Sequence, residues 1–222
     1  MTDLERVKLK WTDLQYVEDQ TPEICLEAIK QCGFAIEYVQ NQTPEICMEA
    51  AMNGGLRYIK EQTEAMCLEA VKRNGCELFY VRKQTPKICM EAVRQCGNAL
   101  VYVKEQTPEL CMEAVKQVGC MLQCVDEQTP ELCLEAVKQN GMALQYVREQ
   151  TPEICLTAVK QDGRSLAYVK EQTFAICMEA VRQTDWALHV VKRELQEAVK
   201  AALENEKSGF NTNSEIKDLK AF

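Results

Sequence analysis

Cysteine is the residue type with the most obvious chemistry in this chain. Of 13 cysteines, eight share one register: Cys25, Cys47, Cys67, Cys89, Cys111, Cys133, Cys155 and Cys177. Thiols can bind metal, exchange disulfides or act as nucleophiles, but each task needs partners at short range. Equivalent residues on stacked helices lie about 8–10 Å apart, whereas a disulfide needs Cα atoms within about 7 Å. The column therefore reads as small buried side chains where helices approach closely. The other five, Cys32, Cys76, Cys96, Cys120 and Cys124, fall around glycine turns or in a tyrosine position. They lack paired C-x2-C spacing, and the single histidine, His189, is remote from them in sequence. No metal site is expected.

Carboxylates come next. Pairs such as Glu109/Glu113 and Glu131/Glu135 recur along the chain with lysine or arginine three residues on. Acid–base chemistry needs such a pair in a cleft that separates their pKa values. Repetition beside cations reads instead as a solvated helix face, or as an acidic ribbon offered to a basic partner. No nucleophile–histidine–acid set can be assembled around one histidine. Glycines stand alone apart from Gly54–Gly55, so no phosphate-cradling loop is present. No catalytic residue and no cofactor is assigned, and enzyme activity is not expected.

The element that positions all these residues is a repeat. Threonines at 21, 43, 63, 85, 107, 129, 151 and 173 mark steps of 22 residues, with one step of 20. Periods of this size signal stacked supersecondary units. Taking threonine as position 0, EQTPEICLTAVKQDG (Glu149–Gly163) shows the logic. Threonine caps a helix, proline fits its first turn, and an acid beside it suits the dipole. Glycine at position 12 is expected to close this helix A, for example Pro152–Asp162, in the left-handed conformation. Positions 13–21 are expected to form a second short helix, B. The apolar positions 3, 4, 5, 7 and 8 of helix A cover a wide arc, which suits a helix with neighbours on two sides. Neither helix is long enough to be stable alone.

The expected fold is all-α: an α-solenoid of about eight short helix–turn–helix (αα) repeats with capping helices. Residues 1–20 form an N-terminal cap built from a helix-B half repeat, and residues 21–184 the repeat solenoid. Residues 185–206 form one long C-terminal capping helix. Residues 207–222 are a flexible or docking tail, with Ile216, Leu219 and Phe222 available for a docking turn. The 20-residue step carries Gly54–Gly55 at its turn, which is expected to tilt one repeat against the next. The phrase ALQYVREQTPEICLTAVKQDG (Ala143–Gly163) resembles a short tandem repeat of bacteria, protists and large viruses, catalogued only as a domain of unknown function. The resemblance extends over most of the chain. It implies the helical repeat and carries over no catalytic residue.

Specificity is expected where the repeat varies, at positions 13, 16 and 20 of helix B beside its tyrosine column. The candidate binding residues are Phe34, Arg57, Tyr58, Phe79, Tyr80, Val101, Tyr102, Gln123, Met142, Gln145, Trp186 and His189, with Gly54 and Gly55 at the irregular turn. Apolar groups among them would mark a partner surface. The expected function is a non-enzymatic repeat scaffold that binds another protein through a rigid curved surface. One alternative is a phage or mobile-element inhibitor that uses its acidic surface on a host defence or nucleic-acid-handling protein. A second is a small-molecule or nucleotide binder at Tyr58 and Gly54–Gly55. Amphipathic 22-residue repeats also occur in lipid-surface apolipoproteins, but the mid-repeat glycine argues for two packed helices. The net charge of −8 disfavours nucleic acid or anionic membrane as a direct partner. There is no membrane-spanning apolar run, and MTDLERVKLKW is not a secretory signal. A monomer in a reducing cytoplasm is expected, the host's if the chain is phage-encoded.

Overall fold

The computed structural model describes the backbone of residues 2–218 and the side chains of residues 2–206. It contains two compact units, 1–117 and 118–222. Unit one runs α1 (Asp3–Leu9), η1 (Trp11–Tyr16), α2 (Pro22–Gln31), η2 (Gly33–Tyr38), α3 (Pro44–Met52), η3 (Leu56–Tyr58), α4 (Glu64–Arg73), η4 (Gly75–Tyr80), α5 (Pro86–Gln95), η5 (Gly97–Tyr102) and α6 (Pro108–Gln117), where η denotes a 3-10 helix. Unit two runs η6 (Gly119–Cys124), α7 (Pro130–Gln139), η7 (Gly141–Tyr146), α8 (Pro152–Gln161), η8 (Gly163–Tyr168), α9 (Phe174–Gln183), η9 (Asp185–Val190) and α10 (Arg193–Asp218). Within each unit the helices stack repeat upon repeat, an all-α solenoid arrangement without strands among the described residues.

Helix A begins as its sequence dictates. The threonine hydroxyl accepts the N–H of position 3, as in Thr151–Ile154 at 3.3 Å. Helix B differs from expectation: it is a six-residue 3-10 helix in every full-length repeat. Its bonds run from position 14 back to 11 and from 18 back to 15, as in Ala143 to Asn140 (2.8 Å) and Val147 to Leu144 (3.1 Å). The physical reason lies in the burial period. Positions 12, 15 and 18, such as Gly141, Leu144 and Val147, form a buried row at steps of three with buried position 14 beside it, while 13 and 16 are more open. A repeat of three is the 3-10 period.

Glycine at position 12 also departs from expectation. Position 11 ends helix A in an extended conformation, and among the described residues only Gly54 has a positive φ, 82°. The other glycines permit close approach instead. A Cβ on Gly141 would lie 2.5 Å from the carbonyl oxygen of Ala158 in the next repeat.

The 20-residue step is absorbed locally. Its α3 is one residue shorter than its neighbours and η3 has only three residues. Gly54 turns left-handed there, and Gly55 passes so close to Gly33 that a Cβ would sit 2.2 Å from the Gly33 carbonyl oxygen.

At the N-terminus, α1, a shortened helix A capped by Thr2 and Glu5, stands ahead of the 3-10 turn η1. At the other end, the helix expected over 185–206 is divided. Asp185–Val190 keeps the 3-10 turn despite losing its glycine, because Ala187 still fills the buried column, and α10 begins only at Arg193. Val199 of α10 is fully buried and Arg182 of α9 pairs with Glu206. The backbone of α10 runs on to Asp218, into the segment expected as a tail. The docking turn proposed for Ile216, Leu219 and Phe222 lies outside the described side chains.

Candidate binding surface and the glutamine clamp

The eight-membered cysteine column is buried as expected, but it is not merely packing. Each thiol donates to the glutamine that precedes its threonine, from Cys111–Gln106 at 3.3 Å to Cys47–Gln42 at 4.0 Å. Burial pushes the Cys25, Cys47, Cys67, Cys89, Cys133, Cys155 and Cys177 thiols up from their ordinary range. Protonated thiols of this kind are poor nucleophiles.

The glutamine itself is the joint between repeats. Gln150 donates to the carbonyls of Leu144 (3.5 Å) and Tyr168 (2.9 Å). Its Oε1 accepts the Lys170 N–H (3.0 Å) and the Cys155 thiol (3.5 Å). All four hydrogen-bonding places of the amide are used. The same set recurs at Gln20, Gln42, Gln62 and Gln128. A second glutamine, at position 10, accepts the N–H of the preceding glycine, as in Gly141–Gln161 (2.6 Å). In the short repeat the Asn53 carbonyl takes over this role for Gly33 (3.2 Å). From the sequence alone these glutamines are assigned no role. Their presence before every one of the eight threonines was the available signal.

The expected recognition residues separate into two groups. In unit one they meet. Phe34 packs edge-on against Tyr58, with ring centroids 5.7 Å apart. The Arg57 guanidinium lies over Tyr58 and Tyr80, 5.3 and 6.0 Å from their centroids. Phe79 packs edge-on against both Tyr80 (5.0 Å) and Tyr102 (5.3 Å). The rule behind the ridge is local. Positions 13 and 16 of one 3-10 turn lie against the tyrosine of the next. Phe34, Phe79 and Val101 remain 47%, 63% and 49% exposed. Arg57 has no carboxylate within ion-pair distance among the described residues.

In unit two, Gln123, Gln145 and His189 face solvent, Met142 is half-buried and Trp186 is 46% exposed. Among the described residues no ring contact joins Trp186 or His189 to another aromatic side chain. Gly54 lies open at its turn and Gly55 is buried, so the pair shapes the backbone there. Clefts of about 210, 230 and 330 Å³ open between the starts of successive A helices.

Among the described residues no group of three or more His, Cys, Asp or Glu is placed to hold a metal ion, and no helix is long and apolar enough to cross a membrane. One buried carboxylate stands out. Glu77 occupies a column filled by alanine at 35, 99, 143 and 187, its Oε2 has no partner, and burial pushes its pKa up.

Three overlapping segments, 64–107, 107–151 and 129–174, match the family described as Domain of unknown function (DUF4116). Together they take in half of the chain. The protein belongs to the DUF4116 family. No curated protein and no solved structure shows a significant match. The matched DUF4116 segments begin at α4 and end at the start of α9, so they contain Phe79, Val101 and five of the eight clamp glutamines, while Phe34 and Arg57 lie ahead of them.

Proposed function

We propose that the protein is a non-enzymatic recognition scaffold that binds another protein through the aromatic ridge of unit one. The observation that carries this reading is the continuity of the ridge across four successive 3-10 turns. Side chains that vary freely elsewhere are here aromatic or cationic, in ring contact, and exposed. Aromatic residues and arginine dominate the energetic centres of protein interfaces. The saturated glutamine clamps hold the turns in place, which lowers the ordering cost of binding. Arg57, flanked by rings and lacking a carboxylate, matches a partner segment that sets an acidic side chain among apolar ones.

The test starts by capturing the partner from the source cell and identifying it by mass spectrometry. Its affinity is then measured for the wild type and for the Phe79→Glu/Val101→Glu and Arg57→Glu variants. The expected loss is at least tenfold for each, about 1.4 kcal/mol. Helicity should be unchanged, because these side chains are exposed. Undiminished binding by the double variant would overturn the assignment of this face.

A further inference from the structure

The geometry points to a second functional feature: we propose that Cys76 and Cys96 are a paired-thiol modification site that closes reversibly into an inter-repeat disulfide. Position 13 of one repeat faces position 11 of the next. Cys120 shows this, its Sγ accepting from Asn140 Nδ2 at 3.3 Å. At the equivalent places in η4 and at the end of α5 both residues are cysteine, which sets the two thiols beside each other. The same register holds Thr12 with Cys32, Met142 with Asp162 and Arg164 with Thr184. Both backbones are fixed. Gly75, next to Cys76, donates its N–H to Gln95, next to Cys96, at 2.6 Å. A Cβ on Gly75 would lie 3.1 Å from the Cys96 Cβ. Both thiols are only half-buried, unlike the column held by glutamine.

The oxidant is a low-molecular-weight disulfide. Burial, with Cys96 and Glu77 adding to it, holds the Cys76 thiol protonated to higher pH, and the proposed first nucleophile is Cys96. Its sulfur, having given up its proton, displaces one thiolate of the reagent and forms a mixed disulfide. The Cys76 sulfur then loses its proton and attacks the Cys96 sulfur, expelling the second thiolate. The two cysteines lose two electrons and two protons, and the reagent leaves as two thiols. The bond ties η4, which carries Phe79 and Tyr80, to the end of α5, from which η5 and Tyr102 start.

The experiment treats the full chain with glutathione disulfide at neutral pH, quenches by alkylation and maps peptides without reduction. The expected product is a peptide joining Cys76 to Cys96, reversed by dithiothreitol and absent from Cys96→Ser. Cys76→Ser should retain a glutathione adduct on Cys96. Closing the loop should raise the melting temperature of the wild type by about 5 °C. Recovery of the two cysteines as unmodified thiols, or as separate glutathione adducts, overturns the proposal.

Discussion

Gln150 shows how much one side chain can hold. Replacing it by leucine keeps comparable bulk but strips partners from two carbonyls, one N–H and one thiol. Unmet buried polar groups cost about 1–3 kcal/mol each, partly relieved here by water at the half-buried edge. Gln150→Leu should therefore lose about 2–4 kcal/mol in chemical denaturation, while the exposed Gln145→Leu stays within about 0.5 kcal/mol. Equal losses would show that the clamp carries no special weight. The two glutamines are the same letter in the sequence, and only register distinguishes them. The sequence did reveal the threonine caps and the buried cysteines, because hydroxyl capping and apolar burial are properties of single residues, and it offered the outward aromatic positions as candidates. It hid the role of Gln150, whose partners sit in two successive repeats.

At the scale of the element, the expected helix B and the observed 3-10 turn share the same apolar letters. The spacing of Gly141, Leu144 and Val147 at steps of three was visible, but over six residues a period of three is easily taken for one of 3.6. Tertiary contact decides between them. Glycine at position 12 admits the next repeat's carbonyl, and the position 19 N–H is already taken by the clamp, as in Arg148–Gln128. Two glycines therefore respond differently to the same change. In Gly141→Ala the new methyl meets the Ala158 carbonyl oxygen at 2.5 Å, and the repeats must move apart. A cost of about 2–4 kcal/mol is expected, as for other severe steric changes. In Gly54→Ala nothing lies within 4 Å, and only the positive φ opposes it. That cost should be about 1–2 kcal/mol. Denaturant midpoints of the two variants give the comparison directly; a larger loss at Gly54 would contradict the close-approach account.

At the scale of the whole molecule, the thiol column makes stability depend on pH at the alkaline end. An unfolded thiol titrates near its ordinary value of 9.0, whereas the buried ones hold their protons to higher pH. Between those two values the folded chain binds more protons than the unfolded one, so stability falls as pH rises. Each such thiol contributes up to about 1.4 kcal/mol per pH unit in that window. The melting temperature should change little from pH ~6 to pH ~8 and drop steeply above pH ~9. A Cys133→Ala/Cys155→Ala variant should show a shallower drop. Identical slopes would mean that the thiols are titrating freely. The glutamine clamp has one more consequence. Each amide reads only the repeats on either side of it, and it bonds backbone atoms and a recurring thiol. Within a unit, excising or duplicating one full period recreates the same bonds across the new joint. Chain length then becomes a quantity that gene duplication can adjust without redesigning any contact, while the outward residues of each copy are free to diverge.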